Sequence, residues 1–102
     1  MAQEPPPADQ PPETTEESLD TTRVVQWCIS VLAANAWQGM GLIPNPATKK
    51  IERTLDDARL AIDAVAALAE HVKPRLSEPD RRQLDALLND LRLNFLQQKD
   101  RP

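Results

Sequence analysis

Cysteine, histidine and glycine are nearly absent from this 102-residue chain, and their scarcity excludes several kinds of functional site. With one cysteine, Cys28, and one histidine, His71, the chain can form neither an internal disulfide nor a metal centre built from Cys and His. Its two glycines, Gly39 and Gly41, cannot build a phosphate-binding loop, and no nucleotide-binding glycine motif occurs. The sequence therefore predicts a protein without a cofactor, a metal ion or a catalytic residue.

A secretory signal is also lacking, because the N-terminal residues contain neither a basic region nor an early apolar run. A single unpaired thiol fits a reducing compartment. We therefore expect a cytoplasmic protein. Apolar residues make up 40% of the chain and charged residues 27%, which is typical of a soluble globular domain.

Basic side chains are missing from the N-terminal segment, whose first twenty residues contain six acidic ones. Five of the ten prolines lie in residues 1–12, and Leu19 is the one large apolar side chain between Gln3 and Thr22. Such a segment buries too little apolar surface to offset the entropy lost on ordering, so residues 1–18 are predicted to be a disordered acidic tail. The tail either only solvates the domain or binds a basic surface, on this chain or on a partner.

Residues 19–98 predict an all-α domain of three helices, followed by a frayed C-terminus at residues 99–102. The first helix, from about residue 22 to residue 40, is apolar almost all round, since no charged residue occurs between Val24 and Thr48. An N-cap at Asp20, Thr21 or Thr22 and a C′ residue at Gly41 define its ends. Four polar residues within it make a buried helix a better interpretation than a membrane span. Two neighbouring apolar stripes run along this helix: Val24, Cys28, Val31, Leu32 and Asn35 form one, and Val25, Ile29 and Ala36 the other.

A proline-rich turn and a helical hairpin complete the predicted domain. Two prolines in residues 41–53 prevent a regular helix there. The second helix, at about residues 55–73, is predicted to begin with a capping box formed by Thr54 and Asp57. Its alanine-rich apolar face is thin, so a neighbouring helix can approach closely. The third helix begins at the N-cap residue Ser77.

The first helix has more apolar surface than the thin faces of the other two helices can cover, which favours self-association, most simply as a dimer. The large apolar residues of this helix and of the following turn form the candidate interface: Trp27, Val31, Trp37, Leu42 and Ile43. The sequence thus predicts a non-enzymatic protein-interaction module that forms a homo-oligomer and also binds another protein.

Several segments share their order and spacing with a known family. They are the apolar run at 29–33, the Gly-x-x-Pro-x-Pro-x-Thr turn at 41–48, and the helical segments at 55–63, 76–79 and 87–95. Over residues 24–97 the chain resembles a bacterial family of small helical proteins known as domain of unknown function 1844. Family members often carry Gly where this chain has Lys49, and an aromatic residue near Asn89. The resemblance implies a bacterial, cytoplasmic protein and brings no activity, cofactor or catalytic residue.

Three alternative functions remain open. The domain is weakly basic, so an accessory protein of RNA or a ribonucleoprotein is the main alternative, with the acidic tail as modulator. The basic residues in question are Lys49, Lys50, Arg53 and Arg59. Peripheral membrane association through the first helix is the second. An enzyme that uses Cys28 with His71 as base is the third, but no further residue supports such a pair. The sparse basic residues and the lack of interleaved aromatics do not favour nucleic acid, and the polar residues of the first helix do not favour a membrane.

Overall fold

The computed structural model describes residues 20–101, so the predicted tail at residues 1–18 lies outside the described part of the chain. Three α-helices follow one another in it: α1, Thr21–Gly39; α2, Leu55–Val72; and α3, Glu78–Lys99. A short 3-10 helix, Lys73–Arg75, joins α2 to α3. Residues 20–101 contain no β-strand, and one isolated bridge pairs Met40 with Arg53. The predicted all-α, three-helix fold is confirmed.

Local capping chemistry explains where two of the helices begin. The Asp20 carboxylate accepts a hydrogen bond from the Arg23 N–H at 2.9 Å and starts α1. The Ser77 hydroxyl accepts one from the Asp80 N–H at 3.3 Å and starts α3. The predicted capping box at the start of α2 is wrong, because the Thr54 side chain makes no capping hydrogen bond. The Thr54 N–H instead donates a hydrogen bond to the Gly39 carbonyl at the end of α1, and the Thr54 backbone adopts φ −127° and ψ 80°.

The end of α1 is a Schellman motif, in which two N–H groups past the helix satisfy carbonyls of its last turn. Gly41 donates to the Gln38 carbonyl at 2.9 Å, and Leu42 donates to the Trp37 carbonyl at 3.1 Å. Gly41 has φ +78°, a conformation that side-chain-bearing residues rarely adopt, so glycine is required at this C′ position. The motif ends the helix abruptly and starts the proline-rich turn beside its last residues.

The hydrophobic core lies mainly between α1 and α2, and α3 packs more closely on α2 than on α1. Small side chains let α1 and α2 approach, as the alanine-rich face predicts. At Gly39 an added Cβ would lie only 3.1 Å from the Ala58 Cβ. Larger residues complete the core where α3 joins it. The buried apolar residues include Ile29, Ala33 and Ala36 on α1, Ala58, Ala61, Val65 and Ala69 on α2, and Leu84, Leu88 and Leu91 on α3.

The C-terminal turn of α3 is held by the connection between α1 and α2. The Arg53 guanidinium donates hydrogen bonds to the Gln98 carbonyl and, at 3.3 Å, to the Arg101 carbonyl. The Gln98 carbonyl also accepts from the Arg101 N–H at 3.2 Å, so the guanidinium adds a side-chain donor to a carbonyl at the helix end. α3 continues to Lys99 and the Gln98 side chain is buried, so regular structure reaches into the segment that the sequence predicts to fray.

Candidate interaction surface

Two apolar seams run along different sides of α1, each with the alternating steps of three and four residues that a coiled coil uses. The inner seam faces α2 and the core, and consists of Val25, Ile29, Leu32, Ala36 and Gly39. The outer seam is turned away from the core, and consists of Val24, Trp27, Val31, Ala34 and Gln38. Its side chains are half-buried or exposed, and none of them carries a charge. Only the inner seam is used by the core that residues 20–101 form.

The structure distributes the predicted interface residues over three places. Trp27 and Val31 are half-buried and lie on the outer seam. Trp37 is half-buried too, but it packs against the core, so most of it is turned away from that seam. Leu42 and Ile43 follow the Schellman motif, and their exposed fractions of 40% and 38% leave much of each side chain on the surface. The outer seam and the turn therefore present four of the five predicted residues.

Trp27 differs from Trp37 in its polar atom as well as in its packing. Its indole nitrogen, Nε1, is buried and finds no hydrogen-bond acceptor among the described residues. An unpaired buried N–H costs about 1–3 kcal/mol, which is a large share of the stability of a small domain. Periodicity could place Trp27 on the outer seam, but nothing in the sequence indicates the unpaired donor.

The turn that carries Leu42 and Ile43 is closed on itself by hydrogen bonds. The side-chain oxygen of Asn45 accepts a hydrogen bond from the Ala47 N–H at 2.8 Å. The backbone carbonyl of Asn45 accepts one from the Lys49 N–H at 2.7 Å, and its backbone N–H donates one to the Lys50 carbonyl at 2.9 Å. Lys49 has φ +61°, in the left-handed region that favours glycine. This explains why a glycine at this position, the residue that the resembled family often carries, fits the turn.

The basic side chains that the sequence grouped together lie in several places on the described surface, and Arg59 lines a groove between α2 and α3. Arg81 and Arg82 both pair with Glu78, at 2.6 Å and 3.6 Å. Arg53 is engaged with the end of α3, which leaves Lys49 and Lys50 as the exposed bases of the turn. The sequence grouped Arg53 with these lysines, and its capping role could not be predicted because Gln98, at the end of α3, lies 45 residues away in the chain.

Cys28 and His71 do not form the nucleophile and base pair that the enzyme alternative requires. No hydrogen bond joins this half-buried thiol to His71, which is exposed near the end of α2. Among residues 20–101, no three His, Cys, Asp or Glu side chains come together as metal ligands would. Over the same range, no helix has both the length and the apolar character needed to span a bilayer.

A second apolar surface lies in an open groove of about 580 Å³ between α2 and α3. Ile62 and Phe95 contribute to its apolar part, but Arg59, Asp63 and Arg92 also line it. Because charges of both signs border this groove, it does not select an anionic or a cationic ligand. The outer seam of α1 is distinguished from it by the complete absence of charge.

Comparison with known proteins assigns the chain to a family. A family model described as Domain of unknown function (DUF1844) matches residues 22–97. This match extends from the first turn of α1, through the proline-rich turn, into the last turn of α3. No curated protein and no solved structure matches the chain. The region of the match is most of the chain and includes the resembling segments, and the protein therefore belongs to the DUF1844 family.

Proposed function

We propose that this protein is a non-enzymatic, cytoplasmic protein-interaction module that forms a homodimer through the outer seam of α1. The observation that carries the proposal is the absence of charge on that seam. A helix that buries one face in a core ordinarily presents charged residues on the other. α2 and α3 follow this rule, with exposed Asp63 and Glu70 on α2 and exposed Arg82 and Asp90 on α3. On α1, uncharged side chains face both the core and the outside.

The outer seam contains one side chain of the kind that contributes most to protein interfaces. Tryptophan is the residue most enriched among energetic hot spots, and Trp27 lies on the seam with Val31 one turn further along. Leu42 and Ile43 extend the apolar surface beyond the helix end. Because hydrogen bonds already hold the turn in one conformation, burying these two residues in an interface costs little additional entropy.

Light scattering of the full chain over a concentration series tests this proposal, with two glutamate variants as a matched pair. Val31→Glu places a charge in the centre of the outer seam and is expected to convert the dimer to a monomer. Leu60→Glu is the control, because Leu60 is 69% exposed on α2 and does not belong to the seam. This variant is expected to keep the dimer mass.

Two results would contradict the proposal. One is a monomer mass for the unaltered chain at every concentration. The other is equal dissociation by Val31→Glu and Leu60→Glu, which would mean that added negative charge alone separates the subunits. Circular dichroism of both variants establishes that each remains helical, since neither residue belongs to the buried core.

The alternative function on RNA is favoured by one feature, the exposed pair Lys49 and Lys50, which makes no ion pair with any residue of 20–101. Affinity for single strands falls with salt by a log–log slope of about −0.7 for each phosphate neutralised. Two lysines therefore predict a slope of only about −1.4. RNA binding with about this slope in a filter-binding titration, lost in the Lys49→Glu, Lys50→Glu variant, would support the RNA function over the proposed one.

A further inference from the structure

The sizes and charges along the outer seam also indicate how two copies meet, an inference that rests on the proposed dimer. We propose that α1 pairs in antiparallel orientation with α1 of a second copy, with the two-fold axis between Val31 and Ala34. In this register Val31 meets the partner's Ala34, and Trp27 meets the partner's Gln38. Val24 lies over the partner's Gly41, just past the end of its helix.

Side-chain size favours this register because every layer joins a larger residue with a smaller one. In coiled-coil packing the seam residues of two helices meet in successive layers, and protein interiors tolerate neither gaps nor overlap. The antiparallel register spreads the volume evenly, with the small Ala34 opposite Val31 at the centre. Parallel pairing would place Trp27 against Trp27 and Ala34 against Ala34. One layer would then be overfilled and the other left with a cavity, and both defects are destabilising.

Charge complementarity favours the same orientation. The Asp20 carboxylate compensates the N-terminal end of the α1 dipole, but no basic residue lies in the last turn, so the C-terminal end lacks a compensating side chain. Arg23 flanks the N-terminal end of the outer seam. Antiparallel pairing brings it beside the C-terminal end of the partner's α1, where the carbonyl groups favour a cation. Parallel pairing would instead leave the C-terminal end of each α1 without a neighbouring cation.

The lack of charge also favours a second copy over a different helix as the occupant of the seam. Charged residues flanking a coiled-coil seam select a partner of complementary charge. Between Val24 and Thr48 this chain has none, so Arg23 at the N-terminal end is the one charge beside the seam that a partner helix could recognise. An identical uncharged seam buries no ion when it covers this one.

Cysteine cross-linking of the full chain tests the register. In a Cys28→Ser background, Ala34→Cys and Val24→Cys are made separately and treated with a short bis-maleimide. At about 1.5 Å rise per residue, the antiparallel register offsets the two copies of position 34 by only about 4.5 Å along the axis, and those of position 24 by about 25 Å. Ala34→Cys is therefore expected to give a covalent dimer, and Val24→Cys is expected to remain uncross-linked.

The possible failures are distinguishable when light scattering and circular dichroism accompany the cross-linking. A dimer in which Val24→Cys cross-links as well as Ala34→Cys is parallel, which overturns the register but not the dimer. A dimer in which neither cross-links uses another surface, which overturns both the register and the role of the seam. A monomer overturns the proposed function itself. Both positions lie outside the buried core, so a folded protein is expected in each case.

Discussion

Gly39→Ala is expected to destabilise the domain, although alanine is ordinarily better than glycine inside a helix. Gly39 is the last residue of α1 and lies where the helix meets the start of α2. An added Cβ would lie 3.0 Å from the Thr54 carbonyl oxygen and 3.1 Å from both the backbone nitrogen and the Cβ of Ala58. Two of these three atoms belong to the backbone, so they cannot move away by a side-chain rotation.

The magnitude follows from opposing terms. The helix propensity of alanine contributes about 1 kcal/mol in favour of the variant. Overpacking a tight contact costs about 1–3 kcal/mol. The hydrogen bond from the Thr54 N–H to the Gly39 carbonyl, 2.8 Å long, lies at the same crossing, and its weakening adds up to about 1 kcal/mol. The net expectation is a loss of about 1–2 kcal/mol, or roughly 5–15 °C in Tm for a domain of this size.

Thermal and urea unfolding followed by circular dichroism measure this loss, with every protein at one concentration because a dimer has a concentration-dependent Tm. Asn35→Ala serves as the control, since Asn35 is exposed on the same helix and the change there reports helix propensity alone. An increase in stability for Gly39→Ala comparable to that of the control would refute the reasoning. It would mean that α1 and α2 do not touch closely at this point.

Three further substitutions have expected outcomes. Lys49→Gly should raise the unfolding free energy by about 0.5–1 kcal/mol, because it relieves a left-handed conformation; an unchanged urea midpoint would contradict this. Leu91→Ala should cost about 2–5 kcal/mol, since Leu91 is fully buried, whereas the control Leu93→Ala, at a site 56% exposed, should change stability by less than about 0.5 kcal/mol in the same assay. Arg53→Ala should speed amide hydrogen exchange at the end of α3, because the Gln98 and Arg101 carbonyls lose their side-chain donor; protection equal to that of the unaltered chain would show that these bonds are dispensable.

Local chemistry was enough to predict much of the fold. An N-cap carboxylate at Asp20, a C′ glycine at Gly41 and an N-cap hydroxyl at Ser77 act through neighbouring residues, so the sequence around them contains the full signal. Thr54 shows where this reasoning fails. Its sequence context is that of a capping box, but the crossing of α1 and α2 takes its backbone into a different conformation.

The choice between the two apolar stripes of α1 could not be made from periodicity, because both are uncharged and both repeat with the helix. Packing against α2 determines which side of α1 faces the core. The side of α1 with Ala33, Ala36 and Gly39 lets the backbones approach the alanines of α2, whereas Trp27 on that side would hold them apart. The predicted stripes also differ from the observed seams, because Leu32, placed on the stripe with Val31, packs against the core beside Val25.

This division of α1 by size has a consequence for function. Ala33, Ala36 and Gly39 are buried where α1 meets α2, and the apolar bulk of Trp27 and Val31 lies on the outer seam. Burying apolar surface stabilises by about 25 cal/mol per Å², and an aromatic side chain offers 150–250 Å² of such surface. A single chain gains only part of this from a half-buried tryptophan. The remaining gain requires another surface. In the proposed dimer a second copy of α1 supplies it, with Ala34 and Gln38 as the small and uncharged counterparts of Val31 and Trp27, and no charge is buried.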